Sequence, residues 1–263
     1  FEDKIISDVI IKIEEYIKFI NASDLVYITF DGVAPLAKMK QQRIRRHKGV
    51  FLSNTESKWN KNKITPGTEF MNNLSTKINK HFINKEKKYN VKKILVSCSD
   101  EFGEGEHKIM EYLRNNEDQN KTSVIYGLDS DLIMLSIFHI KYCKDIYIFR
   151  EAPAFMNSSI PKDLLNDDSI YFLDINYLMV SILNELQVTD KHRVYDYVFF
   201  CFFLGNDFLP HFPALNIRTN GIDILLDVYK NTLSTEDETL TDGNKIVWKN
   251  LRKIIQKLGE EEE

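Results

Sequence analysis

Cysteine is scarce in this chain: three in 263 residues, Cys98, Cys143 and Cys201, with no C-x-x-C spacing. So few, in an odd number and scattered, they exclude a disulfide framework and fit a reducing compartment. The six histidines stand isolated, and no Cys/His ligand spacing marks a structural zinc site. Charge of one sign is lacking as well. Lys and Arg number 35 against 39 Asp and Glu, a net charge of -4, so any case for nucleic acid must rest on local clustering. Long apolar runs are missing too. The longest, VFFCFFLG (198–205), is far too short to span a bilayer and reads as a buried helix, and no membrane partner is expected. The opening FEDKIISDVI reads as neither a signal nor a transit peptide. Phe1 is not an initiator methionine, so the chain is expected to be truncated at both ends. No internal repeat is visible.

What is present suits a folded protein. Apolar residues make up 43% and charged residues 28%, and the length allows one large domain or two small ones. Residues 4–20 carry isoleucines and valines at spacings of three and four, a helix. Short β-branched and aromatic runs at 25–31, 93–100, 123–129 and 145–151 read as strands. Helical stretches near 36–48, 66–84, 104–115 and 131–140 separate them, an alternation that predicts a mostly parallel sheet with crossovers. Beyond residue 155 helices dominate, at 174–187, 194–204, 221–231 and 247–258. The expected fold is therefore α/β over 1–155 with a helical extension over 156–263, the two forming one continuous region.

Ligands bind at the carboxyl ends of strands in open parallel sheets. Asp31 follows the first strand, Glu104 and Glu106 follow the second, and Asp129 and Asp131 follow the third. Asp207, in LGND, ends the apolar helix. Taken singly, each acid is also what a helix cap or a turn would show. Taken together, such converging carboxylates repel unless a cation joins them, and hard oxygen donors without Cys or His favour Mg²⁺ or Mn²⁺. Two ions roughly 3.5–4 Å apart would suit in-line phosphodiester cleavage.

A basic segment, DGVAPLAKMKQQRIRRHK, runs from Asp31 to Lys48. On a helix, Lys38, Gln42, Arg45 and Arg46 share one face, and their donors suit a phosphate group. The alternative is a solvated cationic face, which is the expectation for Lys40, Arg43 and Lys48. Such a phosphate pocket beside the first acid would act as a ruler for removing one nucleotide from a phosphorylated end.

The motifs DGVAPLAKMKQQRIRRHK, ITPGTEFM, GEGEHKIMEYLR, YGLDSDLIML and FFLGNDFLPHFP follow one another in the order of a known family. On them the chain resembles the Xrn-type 5′→3′ exoribonucleases over roughly residues 1–260. The resemblance implies a PIN/FEN-like nuclease that hydrolyses single-stranded RNA from a 5′-monophosphate end with Mg²⁺ or Mn²⁺. It places Asp31, Glu104, Glu106, Asp129, Asp131 and Asp207 on the family's metal-binding acids, and Lys38, Gln42, Arg45 and Arg46 on its 5′-phosphate pocket. It also implies a further metal-binding Asp and a base-stacking His upstream of Phe1, and a stacking Trp beyond Glu263. Leu36, Phe102 and Ser130 depart from the family pattern without removing a ligand. The expected compartment is the cytoplasm or the nucleus, with the cytoplasm slightly favoured. Two rival readings are a flap-type DNA nuclease and an inactive RNA-end-binding scaffold.

Other residues are expected to be structural. Thr65 would cap a helix carrying Pro66 in its first turn, and Glu69 could close a capping box. His107 and His211 read as supporting or core histidines. Phe199, Phe200, Phe202, Phe203 and Cys201 read as core, and Trp59 and Trp248 as structural.

Overall fold

The first helix shows how the sequence builds its core. In the computed structural model, α1 (Glu2–Ile20) turns Ile6 and Ile17 inward, with Val9, Ile10 and Ile13 packed beside them. It stops where Asn21 adopts a left-handed conformation (φ 52°). The structure describes residues 1–52, 59–127, 129–151, 170–206, 209–213, 215, 220–233 and 238–262. The chain divides into two compact units, Phe1–Asn115 and Asn116–Glu263. The boundary expected near residue 155 falls in the stretch outside the described residues.

In the first unit, strands β1 (Leu25–Thr29) and β2 (Lys93–Ser97) pair in parallel, Leu25 opposite Lys93 and Thr29 opposite Ser97. Parallel strands need a long crossover. Here it contains α2 (Leu36–Leu52), α3 (Glu69–Phe82) and the short α4 (Glu86–Tyr89). Helix α3 lays Phe70, Leu74, Ile78 and Phe82 against α1 and the strands, closing a core that includes Ile28, Ile94 and Cys98. Its N-cap is Thr68, whose Oγ accepts from the Met71 N–H at 3.4 Å. That corrects the expected cap at Thr65: Pro66 and Gly67 (φ 87°) form the turn before the helix. Trp59 is structural as expected, donating to Glu2 at 2.9 Å and packing edge-on against Phe70. Both strands end earlier than their apolar runs suggest. After Ser97 the chain turns, with the Glu101 N–H on the Cys98 carbonyl at 3.2 Å. Helix α5 (Gly105–Asn115) closes the unit.

In the second unit, β3 (Asp118–Tyr126) pairs in parallel with β4 (Cys143–Glu151), and α6 (Asp131–His139) lies between them in sequence. The α/β class and the parallel pairing are as expected. The described strands form two small sheets, β1–β2 and β3–β4–β5. Strand β5 (Ile170–Asp174), antiparallel to β4, is an addition to a stretch in which helices were expected to dominate. Helices α7 (Ile175–Leu186), α8 (Arg193–Cys201), α9 (Gly221–Thr232) and α10 (Trp248–Glu262) follow where the periodicity put them. Arg193 and Asp196 are both fully buried and share the Tyr229 hydroxyl, which donates to Asp196 at 2.6 Å. Asp196 also accepts from the Leu240 and Thr241 N–H groups, tying α8 and α9 to the segment before α10.

Phe200 is core, stacked edge-on against Tyr229, but Phe202 is 43% exposed. It lies on the short 3-10 turn after α8, where the helical face rotates outward. Trp248, at the exposed start of α10, is 64% accessible and packs little, against expectation. The three cysteines are free, and burial pushes the Cys201 thiol up to about 11, so it carries no thiolate. Among the described residues, no helix is long and apolar enough to cross a membrane.

Candidate metal centre and phosphate face

The carboxyl ends of β1 and β2 release two loops, and backbone contacts join them. The Gly32 N–H donates to the Gly103 carbonyl (2.8 Å), and the Gly103 N–H donates to the Val33 carbonyl (3.2 Å). Gly32 is demanded by this approach, since a Cβ there would lie 1.7 Å from the Glu101 carbonyl oxygen. Gly103 has φ 95°, a conformation other residues avoid. Beneath the loops lies Lys108 of α5, 8% exposed. Its ammonium donates to the Phe30 carbonyl (3.0 Å) and the Cys98 carbonyl (2.9 Å), the first groups past the two strands. Burial holds its pKa below the usual lysine range.

This frame brings three of the predicted acids together. Asp31 Oδ1 accepts from the Gly105 N–H at 2.7 Å, so one oxygen caps the start of α5. The capping role weighed for these acids is thus real for Asp31. Glu104 is 3% exposed, with Oε1 2.8 Å from Lys38 Nζ. Its other oxygen, Oε2, is buried without a hydrogen-bond partner. His107, 46% exposed, stands between the glutamates, its Nε2 4.0 Å from Glu104 Oε2 and 3.9 Å from Glu106 Oε1. One donor atom from each of Glu104, Glu106 and His107 lies within 4.8 Å of the others, a spacing that could hold a metal ion. His107 is therefore not a core histidine.

Among its described side chains, residues 36–49, helix α2 buries no apolar face. Leu36, Met39 and Ile44 are exposed, while Lys38, Gln42 and Arg46, one turn apart, are its sheltered residues. Arg46 Nη2 approaches Gln42 Oε1 at 3.4 Å. Arg45 is exposed, as are Lys40, Arg43 and Lys48. The structure thus gathers three of the four predicted phosphate residues and leaves Arg45 facing solvent.

In the second unit, Asp129 and Asp131 follow the carboxyl end of β3, and both are exposed. Ser130 occupies the N-cap of α6 without a side-chain cap bond, and Asp131 sits in the first turn, where a carboxylate is favoured by the helix dipole. Asp207 lies outside the described residues. Just before it, Asn206 Oδ1 accepts from the Leu209 N–H at 2.8 Å.

The sequence matches the family described as XRN 5′-3′ exonuclease N-terminus over residues 1–152, and the Xrn1 helical domain over 187–263. The chain belongs to the XRN 5′-3′ exonuclease family. It is 30% identical to the 5′-3′ exoribonuclease 2 of Arabidopsis thaliana over 89% of its own length. It is 32% identical to that of Kluyveromyces lactis over 90%, and 30% identical to that of Neurospora crassa over 100%. It spans only 30%, 30% and 31% of the lengths of these three curated relatives.

Within this XRN chain, His107 stands beside the glutamates, in line with the supporting role expected of it, and Gly32 and Lys108 support the acids as well, two residues that strand-end carboxylates do not point to. Gly32 sits inside DGVAP and Lys108 inside GEGEHK, so the motifs contained the signal. Their roles include contacts to backbone some seventy residues or more away in sequence, Gly32 to Gly103 and Lys108 to Phe30, which no local pattern displays.

Proposed function

We propose that the chain carries the catalytic part of a 5′→3′ exoribonuclease, hydrolysing single-stranded RNA with a 5′-monophosphate to nucleoside 5′-monophosphates. The observation that carries this reading is Glu104. A buried carboxylate with a cation on one oxygen and no hydrogen bond to the other is costly to keep unless a ligand uses it. The donors around it fit a hard divalent cation, Mg²⁺ or Mn²⁺: two of the three grouped donors are carboxylates and none is a cysteine. Asp31, Glu104 and Glu106 of the first unit would hold it; the resemblance also implies metal-binding roles for Asp129, Asp131 and Asp207 of the second. Two such ions, when bound, would supply Lewis-acid activation of water and charge neutralisation at the leaving oxygen.

The chain's own residues do the rest. Lys108 and the Gly32–Gly103 contacts hold the acid-bearing loops in fixed register, so the carboxylates need no reorganisation. Lys38, Gln42 and Arg46 offer a point charge, a neutral donor and a forked donor to the terminal phosphate. Arg45, outward in this structure, would serve the RNA backbone or reach the phosphate by a rotamer change. Three free cysteines, Cys98 and Cys143 buried and Cys201 only partly so, suit the reducing interior of the cytoplasm or nucleus.

The test uses 3′-labelled single-stranded RNA carrying either a 5′-monophosphate or a 5′-hydroxyl, with Mg²⁺ or Mn²⁺. Rapid loss of the phosphorylated RNA alone is expected. Equal loss of both would remove the phosphate-face assignment. Preferential cutting of a DNA flap would replace RNA as the substrate. Retention of both RNAs would favour an RNA-end-binding role for this chain.

A further inference from the structure

Lys38 has two assignments that one ammonium can meet only in turn. It belongs to the sheltered polar face of α2 with Gln42 and Arg46, the face assigned to the terminal phosphate. Yet its Nζ lies 2.8 Å from Glu104 Oε1, inside the cluster assigned to the metal. The Lys38 side chain is 15% exposed and that of Glu104 3%, so water screens the pair weakly. Glu104 needs this partner, because an unpaired carboxylate at that depth is strongly disfavoured.

The same contact opposes a divalent cation. An ion on Glu104 Oε2 and Glu106 would sit beside an ammonium bound to the same carboxylate, and like charges at that range repel. Binding of the ion also removes the reason for the pair, since it supplies the positive charge Glu104 lacks. Lysine suits such an exchange. It is a point charge on a flexible stem, whereas an arginine fork would be anchored more rigidly. Once released, the ammonium starts the row that continues one turn later at Gln42 and two turns later at Arg46.

We propose that Lys38 is an exchangeable counter-ion, neutralising Glu104 until a divalent cation binds and then turning to the 5′-phosphate. The proposal rests on the reading of Glu104 as a metal ligand, and adds that metal loading and recognition of the phosphorylated end are one coupled event. Linkage makes the coupling reciprocal: the ion strengthens the preference for a 5′-phosphate, and a bound 5′-phosphate strengthens retention of the ion.

The experiment titrates the protein with Mn²⁺ and follows loss of the free-Mn²⁺ electron paramagnetic resonance signal. Wild type is compared with Lys38→Met, Lys38→Gln and Lys40→Met. Lys40 is an exposed lysine on the same helix and controls for loss of a positive charge alone. Both Lys38 variants should bind Mn²⁺ about tenfold more tightly than wild type, or about 1.4 kcal/mol. Lys40→Met should stay within about twofold. Binding of RNA with an uncleavable first linkage is then measured with and without Mn²⁺. The wild-type preference for 5′-phosphate over 5′-hydroxyl should rise several-fold with Mn²⁺, and that rise should vanish in Lys38→Met. Unchanged or weaker Mn²⁺ binding by the Lys38 variants overturns the exchange, as does equal tightening in Lys40→Met. Failure of wild type itself to bind Mn²⁺ overturns the metal-centre reading beneath it.

Discussion

At the scale of single residues, Gly32 is the position with the least freedom. Its hydrogen takes the direction in which any Cβ would meet the Glu101 carbonyl at 1.7 Å, and neither backbone can yield without parting the loops. Gly32→Ala should therefore cost about 3 kcal/mol, the upper range for overpacking, read as a lower urea midpoint. Turnover should fall too, because Asp31 and Glu104 lie on the loops that separate. A variant with an unchanged midpoint would show that the two loops do not depend on this contact. Asp31, Glu104 and Glu106 were legible in the sequence because each follows an apolar run that had to be a strand. The ion pair of Glu104 with Lys38 was not. It joins residues 66 apart, and spacing says which face of a helix a residue occupies but not what the face meets.

At the scale of elements, the helices were legible because each carries its own period. α1, α3 and α7 to α10 bury the residues their spacing marked. The strand β5 was not legible: Ile170–Asp174 is half-buried and runs straight into the apolar pattern of α7, so the two merge in one apolar stretch. The polar first half of β3 was missed for the opposite reason, since Asp118–Lys121 has no apolar face to announce it. Packing of α1 on α3 and α4 adds a polar contact that periodicity also hides. Glu14 Oε1 accepts from Lys88 (2.6 Å), from the Tyr89 hydroxyl (2.6 Å) and from His81 (2.7 Å). These donors, Lys88 foremost, hold its carboxyl at about 2, well below the model-compound value of 4.5. A carboxylate depressed on folding contributes stability that is complete above its unfolded value and is lost as pH falls through its folded one. Between pH 4.5 and about 2, wild type should lose roughly 1–2 kcal/mol that Glu14→Gln does not lose. The two should differ at pH 7 and converge near pH 2. Parallel urea-midpoint curves across that window would show that the contact contributes nothing.

At the scale of the whole molecule, the acids assigned to the metal fall in both units, and the chain as a whole is only slightly acidic, at -4. Global charge therefore gives an incoming cation little help, and the affinity has to reside in local groups. That makes the thermal response to Mn²⁺ a reading of the site itself. A ligand that binds only the folded chain at a hundred times its dissociation constant stabilises by about 2.7 kcal/mol, a rise of roughly 5–10 °C for a protein of this size. Glu104→Gln should abolish that rise. In the chelator-treated protein it should change stability by less than about 1 kcal/mol, because two effects oppose each other. The substitution gives up the charged contact with Lys38, and it also removes the buried charged oxygen that has no hydrogen-bond partner. The pairing of a near-neutral effect without the ion and a complete loss with it is the signature of a carboxylate kept for its ligand. A large destabilisation of the chelated protein would instead make Glu104 a structural anchor for α2. A Mn²⁺ response surviving in Glu104→Gln would move the ion to the exposed acids of the second unit.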